Sequence, residues 1–181
     1  MAMLVDLSKK AKVSLEKKNI FGENAEVKLY IDSSISMEGR YGNGTVQNVV
    51  ERLLGLAMNL DDNQSIDVCA FDVKLTEAPN ATPTNHEDYV NKLLLKKVGR
   101  LGIGTRYAPS IQHAIKTSGN PIDESAAVAT PAPEPQKKGL FGKLFGGNQP
   151  ASEPTPVPLK PKKTPTYVLF VTDGENQDHE A

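Results

Sequence analysis

Two hydrophobic rhythms run along the chain. Val46, Val49, Val50, Leu53, Leu54, Ala57 and Leu60 recur at helical spacing, which predicts a helix over 45–60 with a broad apolar face for packing on a sheet. Short continuous apolar runs at 26–32 and 65–73 predict buried strands instead, and a third apolar run at 166–172 predicts a further strand. A short strand is expected near Lys74–Glu77. Two more helices are expected: 86–98, carrying Tyr89, Val90, Leu93, Leu94 and Val98, and 107–117, carrying Ala108, Ile111, Ala114 and Ile115. Pro109 falls in the first turn of the latter, where a missing N–H costs nothing. Leu7, Ala11 and Leu15 fit a helix over 6–18, although the alternation of Val13 and Leu15 leaves an edge strand open. The glycines of 37–44 predict a loop. The order strand, helix, strand, helix, helix, strand predicts an α/β domain with a mainly parallel sheet and helices on both faces.

The pattern lapses over 119–165. Ten of the thirteen prolines fall there, among Ala, Ser, Glu and Lys. Such a stretch buries too little apolar surface to offset its ordering entropy, so it reads as a disordered insert. A long tether is tolerated because closure cost grows only logarithmically with length. The domain is then expected in two parts, 1–118 and 166–181. Inside the insert, Lys137–Gly147 mixes two Phe, two Leu and three Lys. It reads equally as a short docking motif for a partner or an anionic membrane, or as a sticky patch without a role.

Composition narrows the function classes. The net charge of -1 argues against nucleic-acid binding through a basic surface. The lone Cys69 permits no internal disulfide and no cysteine-rich zinc site, and reads as a small core residue. His86, His113 and His179 lack ligand spacing, and each reads as solvated surface. No apolar run reaches transmembrane length, and Met1–Val5 runs straight into charge without a signal peptide, so the expected location is the cytoplasm.

Candidate chemistry sits where the strands stop. Leu29-Tyr30-Ile31 delivers Asp32, Ser34 and Ser36, in D-x-S-x-S spacing, to the carboxyl end of the first strand, where open α/β sheets bind ligands. Gly102-Ile103-Gly104-Thr105 adds a hydroxyl in a Gly-bracketed loop. Tyr167 to Thr172 is an apolar run ending in Asp173 and Gly174. Short oxygen side chains of this kind suit a small hard cation such as Mg²⁺. The plain alternative is that Ser34 and Ser36 cap the next helix and both Asp residues merely end strands.

These three parts, in this order, resemble the von Willebrand factor A family and its metal-ion-dependent adhesion site. The resemblance implies a Rossmann-like fold. It implies a site for Mg²⁺ or Mn²⁺ at Asp32, Ser34, Ser36, Thr105 and Asp173, with hydroxyls touching the metal and carboxylates often acting through water. It also implies a partner protein whose Asp or Glu carboxylate completes the coordination. Arg106 and Tyr107, next to Thr105, are candidate partner contacts, or simply an exposed helix start. Leu7–Lys18, Thr45-Val46-Gln47 with Glu51-Arg52, and Gly104–Pro109 resemble more narrowly the bacterial A domains associated with tellurium resistance. The chain departs from that pattern in its insert and in stopping eight residues after Asp173. The C-terminal part is therefore expected to be truncated, leaving Val168 and Phe170 near a bare sheet edge.

The reading is a non-enzymatic, metal-dependent protein-binding module of a tellurium-resistance or stress-response system. The alternative is a Mg²⁺-dependent phosphotransferase or phosphatase with Asp32 as nucleophile. Such nucleophiles usually have a second acid two residues on, where this chain has Ser34. Phosphate-cradling and Ser/His/Asp or Cys/His motifs are also missing from the sequence.

Overall fold

In a computed structural model of the chain, Glu26–Asp32 (β1) is buried at every position after its first. A strand covered on both faces must lie inside a sheet. β1 pairs in parallel with Asp67–Phe71 (β2) on one side and with Thr166–Val171 (β4) on the other. Leu75–Glu77 (β3) adds an antiparallel edge to β2, giving the order β3-β2-β1-β4. The structure describes residues 2–118 and 164–174. Residues 119–163 of the expected insert, with the 137–147 island, lie outside the described residues, as do 175–181.

Alternation along the strands separates two cores. Val27, Leu29, Ile31, Val68 and Ala70 face Val46, Val50, Leu53, Leu54 and Ala57 of α3 (Thr45–Leu60), together with Tyr89, Val90 and Leu94. Tyr30, Cys69 and Phe71 point the other way, onto Ala114 of α5 (Ala108–Thr117). Helices therefore cover both faces of a mainly parallel sheet, as the pattern predicts. β4 is the outer strand on its side among the described residues. Tyr167, Leu169 and Phe170 on it are exposed and Val168 is half-buried.

α1 (Ala2–Lys17) begins earlier than the 6–18 stripe suggests, because Leu4 belongs to the main core. The edge-strand alternative fails: Val13 is exposed while Leu15 is buried against Ala25 and Leu60. α1 crosses α3 at Gly55, where a Cβ would lie 2.9 Å from Leu7 Cβ and 3.0 Å from the Leu7 carbonyl carbon. Glycine is there for close approach.

Three expectations need correction. The predicted loop over 37–44 is helical: a 3₁₀ turn, Ile35–Met37, runs into α2 (Glu38–Gly42). Met37 and Tyr41, one helical turn apart, are both buried and anchor it, a signal that the neighbouring glycines Gly39 and Gly42 hide. The helix expected over 86–98 starts late, as a wide π-turn at Val90–Leu94 continuing into α4 (Leu95–Val98). Its start is tied to α3 by Gln47, whose side chain donates to the His86 carbonyl (2.7 Å) and accepts from the Val90 N–H (3.0 Å). Tyr89 anchors the other side by donating to the Pro79 carbonyl. The histidines are not simple surface residues. His86 is buried 3.9 Å from Glu51, and His113 bridges the Tyr30 hydroxyl (2.8 Å) and Glu77 (3.3 Å). His179 lies outside the described residues.

Cys69 is a buried core residue, as read from the sequence. Burial, then the Glu77 and Asp67 carboxylates, pushes its thiol up to about 11 from 9.0. The folded state thus keeps a proton that the unfolded chain releases first. Its contribution to stability is complete below pH 9 and lost as pH rises toward 11. Replacing Cys69 by Ala should flatten the alkaline fall in denaturation midpoint over that window, and the native thiol should resist alkylation at pH 8. At the helix crossing, Gly55→Leu should destabilise by about 1–3 kcal/mol in urea denaturation, because the backbone of α1 must retreat. An unchanged midpoint would refute that close contact.

Candidate functional site

Asp32 ends β1 fully buried. A buried carboxylate must be hydrogen-bonded to be tolerated, and Asp32 is well supplied. Oδ1 accepts the Ser34 N–H at 2.7 Å. Oδ2 accepts the Thr172 hydroxyl at 2.7 Å and the Thr105 hydroxyl at 3.3 Å. Its main-chain carbonyl accepts the Tyr41 hydroxyl at 2.9 Å, which fixes α2 beneath the site. Burial, then the Asp32 charge, raises the Tyr41 phenol above its ordinary range, so it remains a donor.

The Thr105 loop is stitched to the D-x-S-x-S turn by main-chain bonds. Gly102 donates to the Ser33 carbonyl (2.9 Å), and Ile35 donates to the Gly102 carbonyl (2.8 Å). These bonds surround a bridge between Ser34 and Gly102. The approach requires glycine, since a Cβ on Gly102 would overlap the buried Asp72 carboxylate. The Arg106 N–H donates to the Asp72 carbonyl at 2.9 Å and anchors the far side of the loop.

β4 delivers the last part. Ser36 donates to Asp173 Oδ1 at 2.9 Å, and Arg40 Nε donates to Oδ2 at 3.1 Å. The Ser34 and Ser36 hydroxyls lie 2.9 Å apart. The hydrogen bond from Ser36, then that from Arg40, holds the Asp173 carboxyl below its ordinary value, so it is ionised at neutral pH. Tyr107 closes the loop from below. Its hydroxyl donates to the Gly174 carbonyl (2.8 Å) and lies 3.2 Å from Thr172 Oγ1. Its ring meets Phe71 edge-on.

The structure therefore brings Asp32, Ser34, Ser36, Thr105 and Asp173 into one contiguous cluster. Of the two candidate partner contacts, Arg106 is exposed and Tyr107 is half-buried, with its hydroxyl engaged inside the domain. Sequence reasoning missed Thr172, Arg40 and Tyr41. Thr172 had a signal, a hydroxyl beside the strand-ending Asp173; Arg40 and Tyr41 were hidden in a segment read as loop. Two aliphatic side chains flank the turn at the surface, Ile35 (59% exposed) and Ile103 (85% exposed).

The donor set is all oxygen: three hydroxyls and two carboxylates. That chemistry fits a hard cation such as Mg²⁺ or Mn²⁺ and not a thiophilic one. No group of three or more His, Cys, Asp or Glu suited to a metal occurs among the described residues, so a cation here would depend on the hydroxyls of Ser34, Ser36 and Thr105.

Comparison with known proteins agrees with the fold. Residues 24–129 match the model of the vWA-TerF-like family, the vWA domain found in the TerF C terminus. The chain belongs to that family. The matched segment holds Asp32, Ser34, Ser36 and Thr105, and Asp173 follows it. This vWA-TerF-like chain is also 40% identical over 92 residues to YcbR of Bacillus subtilis (strain 168), a protein described as uncharacterized. That alignment covers 50% of this chain and 38% of YcbR, so the chain spans well under two thirds of that relative's length. No solved structure matches the chain.

Gly102→Ala should lower thermal stability by about 1–3 kcal/mol and displace the amide resonances of Thr105 and Ser34, because the new methyl meets the Asp72 carboxylate. A variant with native melting and unmoved Thr105 and Ser34 resonances would show that the loop has slack.

Proposed function

We propose that this chain is a Mg²⁺- or Mn²⁺-dependent protein-binding module of a tellurium-resistance or related stress system, and not an enzyme. The observation that carries the reading is the convergence of Ser34, Ser36 and Thr105 hydroxyls with Asp32 and Asp173 from three separate segments. A bound divalent cation would supply an electrophilic centre with an open position for a partner's Asp or Glu carboxylate. Ser34, Ser36 and Thr105 are the direct ligands in this reading, with Asp32 and Asp173 orienting them and balancing charge. Ile35 and Ile103 offer aliphatic contact area beside that position, and Arg106 lies exposed next to Thr105. Family membership supports the tellurium-resistance context.

The phosphotransferase alternative loses support from the surroundings of Asp32. Its carboxylate is fully buried, both oxygens accept hydrogen bonds, and a serine stands where a second acid would help. Among the described residues, no helix is long and apolar enough to cross a membrane.

Mg²⁺ or Mn²⁺ should raise the melting temperature, since a ligand selective for the folded state stabilises it by about 1.4 kcal/mol at ten times its Kd. Asp32→Asn should abolish that shift. Capture of a partner from native lysate should need the metal and be lost on adding chelator. Calorimetry showing no Mg²⁺ or Mn²⁺ binding at millimolar concentration would sink the proposal. Phosphoester turnover lost in Asp32→Asn would replace it with the enzymatic reading.

A further inference from the structure

Arg40 is the cationic side chain seated on the cluster. It projects from α2, a helix pinned to the core by Met37 and Tyr41, so its backbone is fixed while its side chain remains half exposed. It reaches Asp173 through Nε alone, on Oδ2, while Ser36 occupies Oδ1. Asp173 lies at the surface, although only 13% of its side chain is exposed. A positive charge thus already sits on one of the two acids that balance a cation in the proposed site.

We propose that Arg40 is a built-in competitor for the metal: its guanidinium holds Asp173 while no metal is bound and releases it when one is. This rests on the metal-binding reading given above. Three features support it. First, the pair is a single contact between a half-exposed guanidinium and a surface carboxylate, which exchanges easily because such pairs are worth little. Second, a divalent cation brings twice the charge to the same acid, so it wins the carboxylate at sufficient concentration. Third, Ser36 contacts both Ser34 and Asp173, so Asp173 stays positioned when Arg40 leaves. Arg40 then sets the threshold concentration of metal. Once released, it remains tethered at the rim on α2, as a planar donor suited to an acidic partner.

The sign of one substitution separates this role from a structural one. Arg40→Gln removes a repelling charge and a competitor, so Mn²⁺ should bind about three- to tenfold tighter by calorimetry at 0.1 M salt. If Arg40 instead served to position Asp173, its loss would weaken Mn²⁺ binding. Equal or weaker binding by Arg40→Gln overturns the competitor role. A second readout uses the unaltered protein: the Arg40 Nε–H resonance should shift as Mg²⁺ saturates, and a resonance unmoved at saturation would also overturn it. Asp32→Asn separates the two levels of inference. If neither the wild type nor Arg40→Gln binds Mn²⁺, or if Asp32→Asn binds it undiminished, the metal-site reading fails and the competitor role with it. If Mn²⁺ binding depends on Asp32 but not on Arg40, only the competitor role fails.

Discussion

Everything at the carboxyl end of the sheet answers to one buried charge, the carboxylate of Asp32. It is out of water, and a carboxylate loses its hydration only at a high cost unless other donors replace it. Its oxygens must be satisfied by protein, and the donors come from three segments far apart in sequence: Ser34 in the turn, Thr105 in the Gly-rich loop, and Thr172 at the end of β4. Removing any donor leaves an oxygen short of a partner in a low-dielectric setting, which costs more than the bond itself contributes. The cluster is therefore held together by need, and the loops cannot drift independently.

Topology explains why that charge sits where it does. β1 is flanked by β2 on one side and β4 on the other, so it lies inside the sheet. α3, which precedes β2, packs on one face; α5, which precedes β4 in the chain, packs on the other. The carboxyl end of such an inner strand is the usual place for a ligand in an open α/β sheet. Asp32 occupies that position. The short α2 floors it from below through Tyr41, and the exposed Ile35 and Ile103 border it above.

Much of this was legible in the sequence. The 45–60 helix and the first strand could be read nearly to the residue, because periodicity is strong when one face, or both, is buried. Strand ends and glycine-bracketed loops placed Asp32, Thr105 and Asp173 at one end of the sheet. The rest depended on tertiary contacts. Glu38–Gly42 looks like a loop because its glycines mask the pairing of Met37 with Tyr41, and burial of those two side chains overrides propensity. His86 looks like surface in isolation, and it is buried because Tyr89 and Val90 behind it drive into the core. Arg40 could not have been linked to Asp173 from sequence, since 133 residues separate them.

The least covered strand carries some of the site's most sensitive residues. β4 exposes Tyr167, Leu169 and Phe170, yet it must present Thr172 to Asp32 and Asp173 to Ser36. A slip of one residue would put Asp173 in the place of Thr172 and set its carboxylate against that of Asp32. Burial of β4 is too slight to fix its register by hydrophobic pattern alone. An aromatic contact supplies what burial does not. Phe170 stacks on Tyr30 with ring centroids 4.9 Å apart and meets Phe71 edge-on at 6.0 Å, directly at the Tyr30–Phe170 pairing of the ladder. Cross-strand aromatic pairs of this kind are strongly directional. Tyr30 is itself held by the His113 and Glu77 relay on the far face. The aromatic cluster under the sheet thus favours the register on which the position of Asp173 depends.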